Sequence, residues 1–108
     1  MIPITQNDFN QVFEKQIDRC RMLLAGKAKE YTGDDPDRLS AFKAASVLQG
    51  CTPQQALAGM LAKHIVSLYD MCKAPRLSYA PEVWMEKITD SINYLVLLKA
   101  LAVEDANG

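Results

Sequence analysis

The chain has little of what most metal-binding and catalytic motifs require. It has one histidine, His64, and three widely spaced cysteines without a CxxC pair, so a finger-type zinc site is excluded. Its five glycines show no phosphate-loop spacing. Its longest apolar runs are far shorter than the roughly 20 residues that span a bilayer, so we expect no membrane partner.

An excess of one charge is also missing. Twelve basic and thirteen acidic residues give a net charge of −1, whereas nucleic-acid binding usually needs clustered basic residues. The composition therefore argues against a nucleic-acid partner. The N-terminus has no signal-peptide pattern, and an odd number of cysteines is typical of reduced thiols. We expect a cytoplasmic protein.

The length of 108 residues corresponds to one domain, residues 1–108. A domain this small buries only a modest share of its surface, so we also expect a homo-oligomer.

Helix start and stop signals divide the chain into four segments. Caps followed by proline or a third-position polar residue mark the starts, and Gly50 suits a left-handed helix end. The predicted starts are Thr5, Asp35-Pro36, Thr52-Pro53 and Pro81, and the predicted ends are about Glu30, Gly50, Lys73 and about Val103. No segment alternates like a strand. The sequence thus predicts an all-α protein, most simply a four-helix bundle, whose last helix buries Trp84, Ile88, Ile92 and Leu95.

Polar side chains form a stripe on the predicted last helix. Glu86, Asp90 and Asn93 follow i, i+4, i+7 spacing, so they project together over about 60° of helix surface. Beyond Asn93 the stripe becomes apolar at Leu97. Carboxylate and amide oxygens suit Mg²⁺ or Mn²⁺, so Glu86 and Asp90 are predicted metal ligands. The alternative is a solvated helix face.

The third helix has a second stripe with the same spacing, formed by Lys63, Ser67 and Asp70 with His64 beside it. Lys63 is suited to phosphate, Asp70 to a metal and Ser67 to a hydrogen bond. A salt bridge from Lys63 or Lys87 to a facing carboxylate would satisfy the same charges without a ligand. A lone histidine is more often a hydrogen-bonded core residue than a base.

A cluster of charged residues lies at the end of the first helix and in the segment that follows it. Lysines in a last turn and aspartates at the next helix start are ordinary complements of helix dipoles. That explanation does not cover Glu30 and Tyr31, which we predict to reach over a ligand site at the end of the bundle.

Four motifs give the chain its resemblance to a known family. They are Lys27-x-x-Glu30-Tyr31, Asp37-Arg38-Leu39-x-x-Phe42-Lys43, Lys63-His64-x-x-Ser67-x-x-Asp70 and Glu86-Lys87-x-x-Asp90-x-x-Asn93-Tyr94. With them the chain resembles small phage and prophage proteins of the nucleotide-modification-associated type. Its last helix also resembles the ExxxD helix of MazG-like all-α nucleotide pyrophosphohydrolases.

This resemblance implies a four-helix core, Mg²⁺, a nucleoside triphosphate ligand and an oligomer. It implies hydrolysis to a monophosphate and pyrophosphate, with Lys63, His64 and Asp70 as candidate catalytic residues. Metal ligands would be Glu86, Asp90 and Asp70, and ligand-binding residues would be Glu30, Tyr31, Lys63, Ser67 and Asn93. MazG-like enzymes usually have a second acidic helix of the ExxE kind, which this chain lacks, so binding without cleavage is also expected of such a site.

Two other functions stay open at this point. One is a non-enzymatic phage accessory (anti-defence) protein that binds a host protein or sequesters a signalling nucleotide in the host cytoplasm. The other is a small assembly subunit whose polar stripes pair only with each other across an interface.

Overall fold

The computed structural model describes residues 2–108, with the side chains of all of them except Lys29 and Tyr31. It contains four helices and no strand within the described residues: α1 (Gln6–Thr32), α2 (Ser40–Gln49), α3 (Pro53–Lys73) and α4 (Pro81–Asn107). The all-α prediction is confirmed. None of these helices, over the range described, is long and apolar enough to cross a membrane.

The predicted caps form at three helix boundaries. The Thr5 hydroxyl accepts a hydrogen bond from the Asp8 backbone N–H at 3.1 Å. Thr52 and Gln55 form a complete capping box, in which each side chain accepts from the backbone N–H of the other residue. Gly50 ends α2 at φ 65°, a left-handed conformation that costs a glycine little.

The predicted start of α2 at Asp35-Pro36 is wrong. The Asp35 carboxylate accepts a hydrogen bond from the Asp37 N–H at 2.8 Å, and the Asp37 carboxylate accepts one from the Leu39 N–H at 2.9 Å. These local bonds hold the backbone in successive turns, and α2 begins only at Ser40. At the other end of the chain, α4 continues four residues beyond Val103, to Asn107.

The helices pack around one core. Helices α3 and α4 make the most extensive contact, α2 packs on α3, and α1 packs on α4 and α2. Gln54 contacts Asp105 and His64 contacts Tyr94, so α3 and α4 run antiparallel. The core contains Leu39, Phe42, Leu57, Leu97 and Leu101.

A lysine joins the loop before α2 to the end of α4. The Lys43 ammonium lies 2.5 Å from the Asp37 carboxylate and 2.8 Å from the Glu104 carboxylate. The hydrogen bonds that the Lys43 ammonium donates to both carboxylates raise the pKa of Lys43 to about 12. The hydrogen bonds from Lys43 and from the Leu39 backbone N–H lower the pKa of Asp37.

The buried face of α4 differs from the predicted one. Ile88 and Leu95 are exposed, and Trp84 and Ile92 are half-buried, so the prediction that this face is buried is wrong for Ile88 and Leu95. The most deeply buried face instead carries Thr89, Asn93, Leu97 and Leu101. Ser91 is also buried, on another side of the helix. The partly polar stripe thus points into the molecule because α1 and α3 pack on that side.

Candidate functional site

Asp90 brings three helices together at the middle of the molecule. Its carboxylate oxygens lie 3.6 Å from the Lys27 ammonium on α1 and 4.0 Å from His64 Nδ1 on α3. The Asp90 side chain is only 15% exposed, against 38% for Lys27. Both distances exceed a normal hydrogen bond. The carboxylate therefore has room to accept a closer donor than either of these two.

A cleft opens beside this carboxylate. Its walls come from α1, from the segment before α2, and from α4. The lining residues are Leu23, Leu24, Lys27, Arg38, Asp90, Asn93, Tyr94 and Leu97. The cleft has a volume of about 20 Å³, which is enough for a single water molecule. A larger ligand therefore has to bind at its mouth, with only one of its atoms inside.

Two polar side chains in the cleft have buried atoms without a hydrogen-bond partner in the described protein. Arg38 donates from Nη2 to the Leu24 carbonyl oxygen at 3.3 Å, but its Nη1 has no partner. The Oδ1 atom of Asn93 also has none, although this residue is only 7% exposed. A buried polar atom without a partner costs about 1–3 kcal/mol, so a ligand that bonds both atoms would recover this cost.

The charges in the cleft favour an anion. Lys27 and Arg38 contribute two positive charges, and Asp90 contributes one negative charge. An oxyanion at the mouth can accept from the free Arg38 N–H group and from the Lys27 ammonium. The Asn93 oxygen, in contrast, can accept from a hydroxyl or amine group of the same ligand.

His64 borders the cleft without joining its hydrogen bonds. Its ring packs against that of Tyr94, with the centroids 5.2 Å apart. Its Nδ1 atom is buried, has no hydrogen-bond partner, and faces Asp90 from 4.0 Å. This position allows His64 Nδ1–H to donate a hydrogen bond to the Asp90 carboxylate after a small shift of either side chain, so His64 is placed to orient this carboxylate.

A partly buried hydrogen bond fixes α1 against α4 next to Asp90. The Gln16 amide donates to the Thr89 hydroxyl at 2.9 Å and also lies 3.2 Å from the sulfur of Cys20. Thr89 is fully buried. This contact sets the position of α1, and hence of Lys27, relative to the acidic residue that follows Thr89.

The structure places the predicted site residues in two groups. His64, Asp90 and Asn93 lie in or beside the cleft. Ser67 is half-buried, whereas Glu30, Lys63, Asp70 and Glu86 are exposed and do not belong to the residues that line the cleft. The side chain of Tyr31 lies outside the described part of the structure.

Of the three predicted metal ligands, Asp90 lines the cleft, whereas Asp70 and Glu86 are exposed outside it. No group of three or more His, Cys, Asp or Glu side chains among the described residues is placed to hold a metal ion. The cleft offers two oxygen ligands, from Asp90 and Asn93. Because Mg²⁺ commonly binds through one or two carboxylates plus substrate phosphates and waters, these residues fit an ion that arrives with a phosphorylated ligand better than a resident one.

Sequence reasoning assigned no ligand role to Lys27 or Arg38. Lys27 was explained as a helix-dipole complement, but it also continues the apolar stripe of α1 at i+3 from Leu24 and i+7 from Cys20. A lysine on the buried face of a helix is a usable signal of function. No comparable signal marks Arg38, because its contact with Leu24 depends on how the loop after α1 turns back.

Searches against family models, curated proteins and solved structures found no match to this chain.

Proposed function

We propose that this protein binds the phosphate group of a nucleotide at the mouth of the Lys27–Asp90 cleft. The observation that supports this proposal is the pairing of two cationic side chains with two buried, unpartnered polar atoms in one cleft. Phosphate oxygens would accept from Arg38 and Lys27, and a sugar or base donor would satisfy Asn93. A nucleotide offers both kinds of group in one molecule.

Within this proposal the residues have separate roles. Arg38 and Lys27 hold the phosphate, while Asp90 positions the Lys27 ammonium through their 3.6 Å contact. His64 orients Asp90 from the other side. A divalent ion would share Asp90, Asn93 and the ligand's own oxygens, and it would neutralise phosphate charge.

The proposed activity is capture of the nucleotide, and hydrolysis is the second candidate. Capture is favoured because Asp90 is the one carboxylate among the residues that line the cleft. The resemblance to MazG-like enzymes implies that hydrolysis uses several carboxylates. Hydrolysis would release pyrophosphate and a monophosphate. Capture would return the ligand intact. We propose in addition that the protein belongs to this phage-type group, forms a homo-oligomer and acts in the cytoplasm of a host cell as an accessory protein.

Isothermal titration with a panel of nucleoside mono-, di- and triphosphates tests the binding. Each titration is run with inorganic phosphate as a reference, and with Mg²⁺ or EDTA. Arg38→Gln and Lys27→Gln are expected to weaken binding by about tenfold or more, the usual effect of losing a charge-assisted hydrogen bond. A colorimetric assay for pyrophosphate on the same samples separates capture from hydrolysis.

Lys63→Gln is the matched control. Lys63 is a lysine on an exposed part of α3, so its loss leaves the cleft unchanged. If Lys63→Gln abolishes binding while Lys27→Gln has no effect, the phosphate binds at the α3 stripe instead. If no ligand of the panel binds in either metal condition, the proposal is wrong.

A further inference from the structure

The cleft beside Asp90 has room for one atom of a ligand, and the residues that line it restrict what that atom can be. Its volume of about 20 Å³ corresponds to a single water-sized atom. Arg38 Nη1 and Asn93 Oδ1 are buried atoms of lining residues, and neither has a hydrogen-bond partner among the described residues. Asn93 is 7% exposed, so its oxygen is closed to bulk water. The atom inside the cleft therefore has to serve both groups.

The two unpartnered atoms are of opposite type. Arg38 Nη1 is a donor and the amide oxygen of Asn93 is an acceptor. One ligand atom that serves both must accept one hydrogen bond and donate another. A charged phosphate oxygen only accepts, and the amino group of a nucleobase serves as a donor. A hydroxyl group does both, so the ligand atom that fits inside the cleft is a hydroxyl oxygen.

Asp90 offers a place for a second hydroxyl next to the first. Its carboxylate is 15% exposed, and the Lys27 ammonium and His64 Nδ1 lie 3.6 Å and 4.0 Å from it, which leaves room for a closer donor. Asp90 and Asn93 are three residues apart and project from the same side of α4. A hydroxyl adjacent to the one inside the cleft can thus donate to Asp90. Two adjacent hydroxyls are what the ribose of a ribonucleotide provides.

The phosphate keeps its place at the mouth of the cleft in this arrangement. Arg38 Nη1 has two N–H groups, which point about 120° apart in the planar guanidinium. Two acceptors at about 2.9 Å from this nitrogen therefore lie about 5 Å from each other. One N–H group can bond the hydroxyl inside the cleft, and the other can bond a phosphate oxygen beside Lys27. A spacing of about 5 Å is within the reach of one nucleotide.

We infer that the ligand is a ribonucleotide recognised through the 2′,3′-diol of its ribose. One hydroxyl bonds Arg38 and Asn93 inside the cleft, and its neighbour bonds Asp90 at the mouth. This inference rests on the proposed binding of a nucleotide phosphate and adds selectivity for the sugar to it. A deoxyribonucleotide keeps the phosphate contacts and loses one hydroxyl contact, and a dideoxyribonucleotide loses both. The affinity should therefore fall in that order.

Isothermal titration of the wild-type protein with sugar analogues tests this selectivity. The probes are the triphosphates of adenosine, guanosine, cytidine and uridine and their 2′-deoxy, 3′-deoxy and 2′,3′-dideoxy forms, each with Mg²⁺ and with EDTA. For every base that binds, the dideoxy form should raise the dissociation constant about tenfold or more, the usual effect of losing a hydrogen bond to a charged group. Each monodeoxy form should give an intermediate value. A water molecule can take the place of the missing hydroxyl, so binding is weakened and not abolished.

Asn93→Ala combines the loss of the acceptor with the loss of the hydroxyl. The dideoxy form should weaken binding to this variant clearly less than to the wild type, because the two changes remove the same contact. Ser91→Ala is the matched control. Ser91 is also buried on α4, but its hydroxyl donates to the Lys87 carbonyl oxygen at 2.8 Å and does not line the cleft, so this variant should keep the full selectivity. Circular dichroism checks that both variants fold, and the wild-type titrations decide the question if Asn93→Ala does not.

The results that would overturn this inference differ from those that would overturn phosphate binding. If dideoxy forms bind as tightly as ribonucleotides, the sugar is not recognised and the inference is wrong, while the proposed phosphate binding stands. The same holds if affinity depends on the base and not on the sugar, since a base amine would then serve Asn93. An unchanged dideoxy penalty in Asn93→Ala would place the hydroxyl elsewhere. If none of the nucleotides binds, the inference and the proposed function are both wrong.

Discussion

The unpartnered amide oxygen of Asn93 leads to a prediction in which stability and function change in opposite directions. If the role of this oxygen is to accept a hydrogen bond from a ligand, it has no partner in the ligand-free protein. The ligand-free protein is then less stable than it would be with an apolar side chain at this position. Asn93→Leu keeps the branching of the side chain and removes the polar atom. A neighbouring cleft of about 20 Å³ can accept the small added volume.

The expected magnitude follows from the burial of Asn93, which is 7% exposed. An unsatisfied buried amide lowers the free energy of unfolding by about 1–3 kcal/mol. Asn93→Leu removes this cost, but the strain of fitting a slightly larger side chain cancels part of the gain. We expect Asn93→Leu to raise the free energy of unfolding by about 1 kcal/mol, which is about 4 °C in Tm for a chain of this size. Nucleotide binding measured by titration calorimetry should be lost in the same variant.

Thr89→Val is the matched control, one turn earlier on the same helix. Thr89 is also a buried polar residue, but its hydroxyl accepts a 2.9 Å hydrogen bond from Gln16. Its replacement leaves that amide without this acceptor and should lower the free energy of unfolding by about 1 kcal/mol. The two variants therefore shift Tm in opposite directions.

Thermal unfolding followed by circular dichroism decides between the two explanations of Asn93. If a buried water molecule shared with Arg38 satisfies the amide, Asn93→Leu leaves Arg38 unpaired. That variant would then unfold at a lower temperature than the wild type. A lower Tm for Asn93→Leu would refute the reasoning that this residue is kept for a ligand.

Three further predictions concern the fold. Leu101 is 2% exposed in the core, so Leu101→Ala should lower the free energy of unfolding in urea by about 2–5 kcal/mol; a loss below 1 kcal/mol would contradict the assigned core. Thr52→Ala removes the cap of α3 and should cost about 1 kcal/mol in the same assay, whereas Thr52→Ser should cost little. The pKa of Asp37 is lower in the folded protein than its ordinary 3.8, so its contribution to stability is present above pH 3.8 and is lost as the pH falls through the lowered value. The stability difference between wild type and Asp37→Asn should therefore shrink on acidification, and a difference that is constant with pH would exclude this role.

Local signals in the sequence predicted most helix boundaries. Thr52 with Pro53 and Gln55 predicted the start of α3 because capping depends only on neighbouring residues. The same reasoning failed at Asp35 and Pro36, where the aspartate bonds the turn itself instead of capping a helix. A cap and a turn use the same residue types, so the sequence alone does not separate them at this position.

The polar stripe of α4 was predicted only in part. The change from Asn93 to Leu97 correctly indicated that this face turns inward, and Asp90 is accordingly only 15% exposed. Glu86, one turn earlier on the same stripe, is exposed. Periodicity gives the direction in which a side chain projects, but which turns of a helix are covered depends on where the neighbouring helices begin and end.

The apolar face of α4 failed as a core prediction for a related reason. Hydrophobic periodicity shows that Ile88 and Leu95 need a partner, but it does not show whether this partner lies in the same chain. Both are exposed here, as are Phe9 and Phe13 of α1. Periodicity therefore does not separate a face that is buried within one chain from a face that is buried between chains.

One stripe of α1 therefore has two consequences for the proposed site. Its second half, ending at Lys27, packs within the chain and brings the ammonium to 3.6 Å from Asp90. Its first half is exposed at Phe9 and Phe13, and the Gln16–Thr89 hydrogen bond joins α1 to α4 between these residues and Lys27. Because a helix is stiff over this length, the contact that holds Gln16 against Thr89 also restrains Lys27. The packing of α1 on α4 and the proposed phosphate binding at Lys27 should then stabilise each other, since both favour the same placement of this helix.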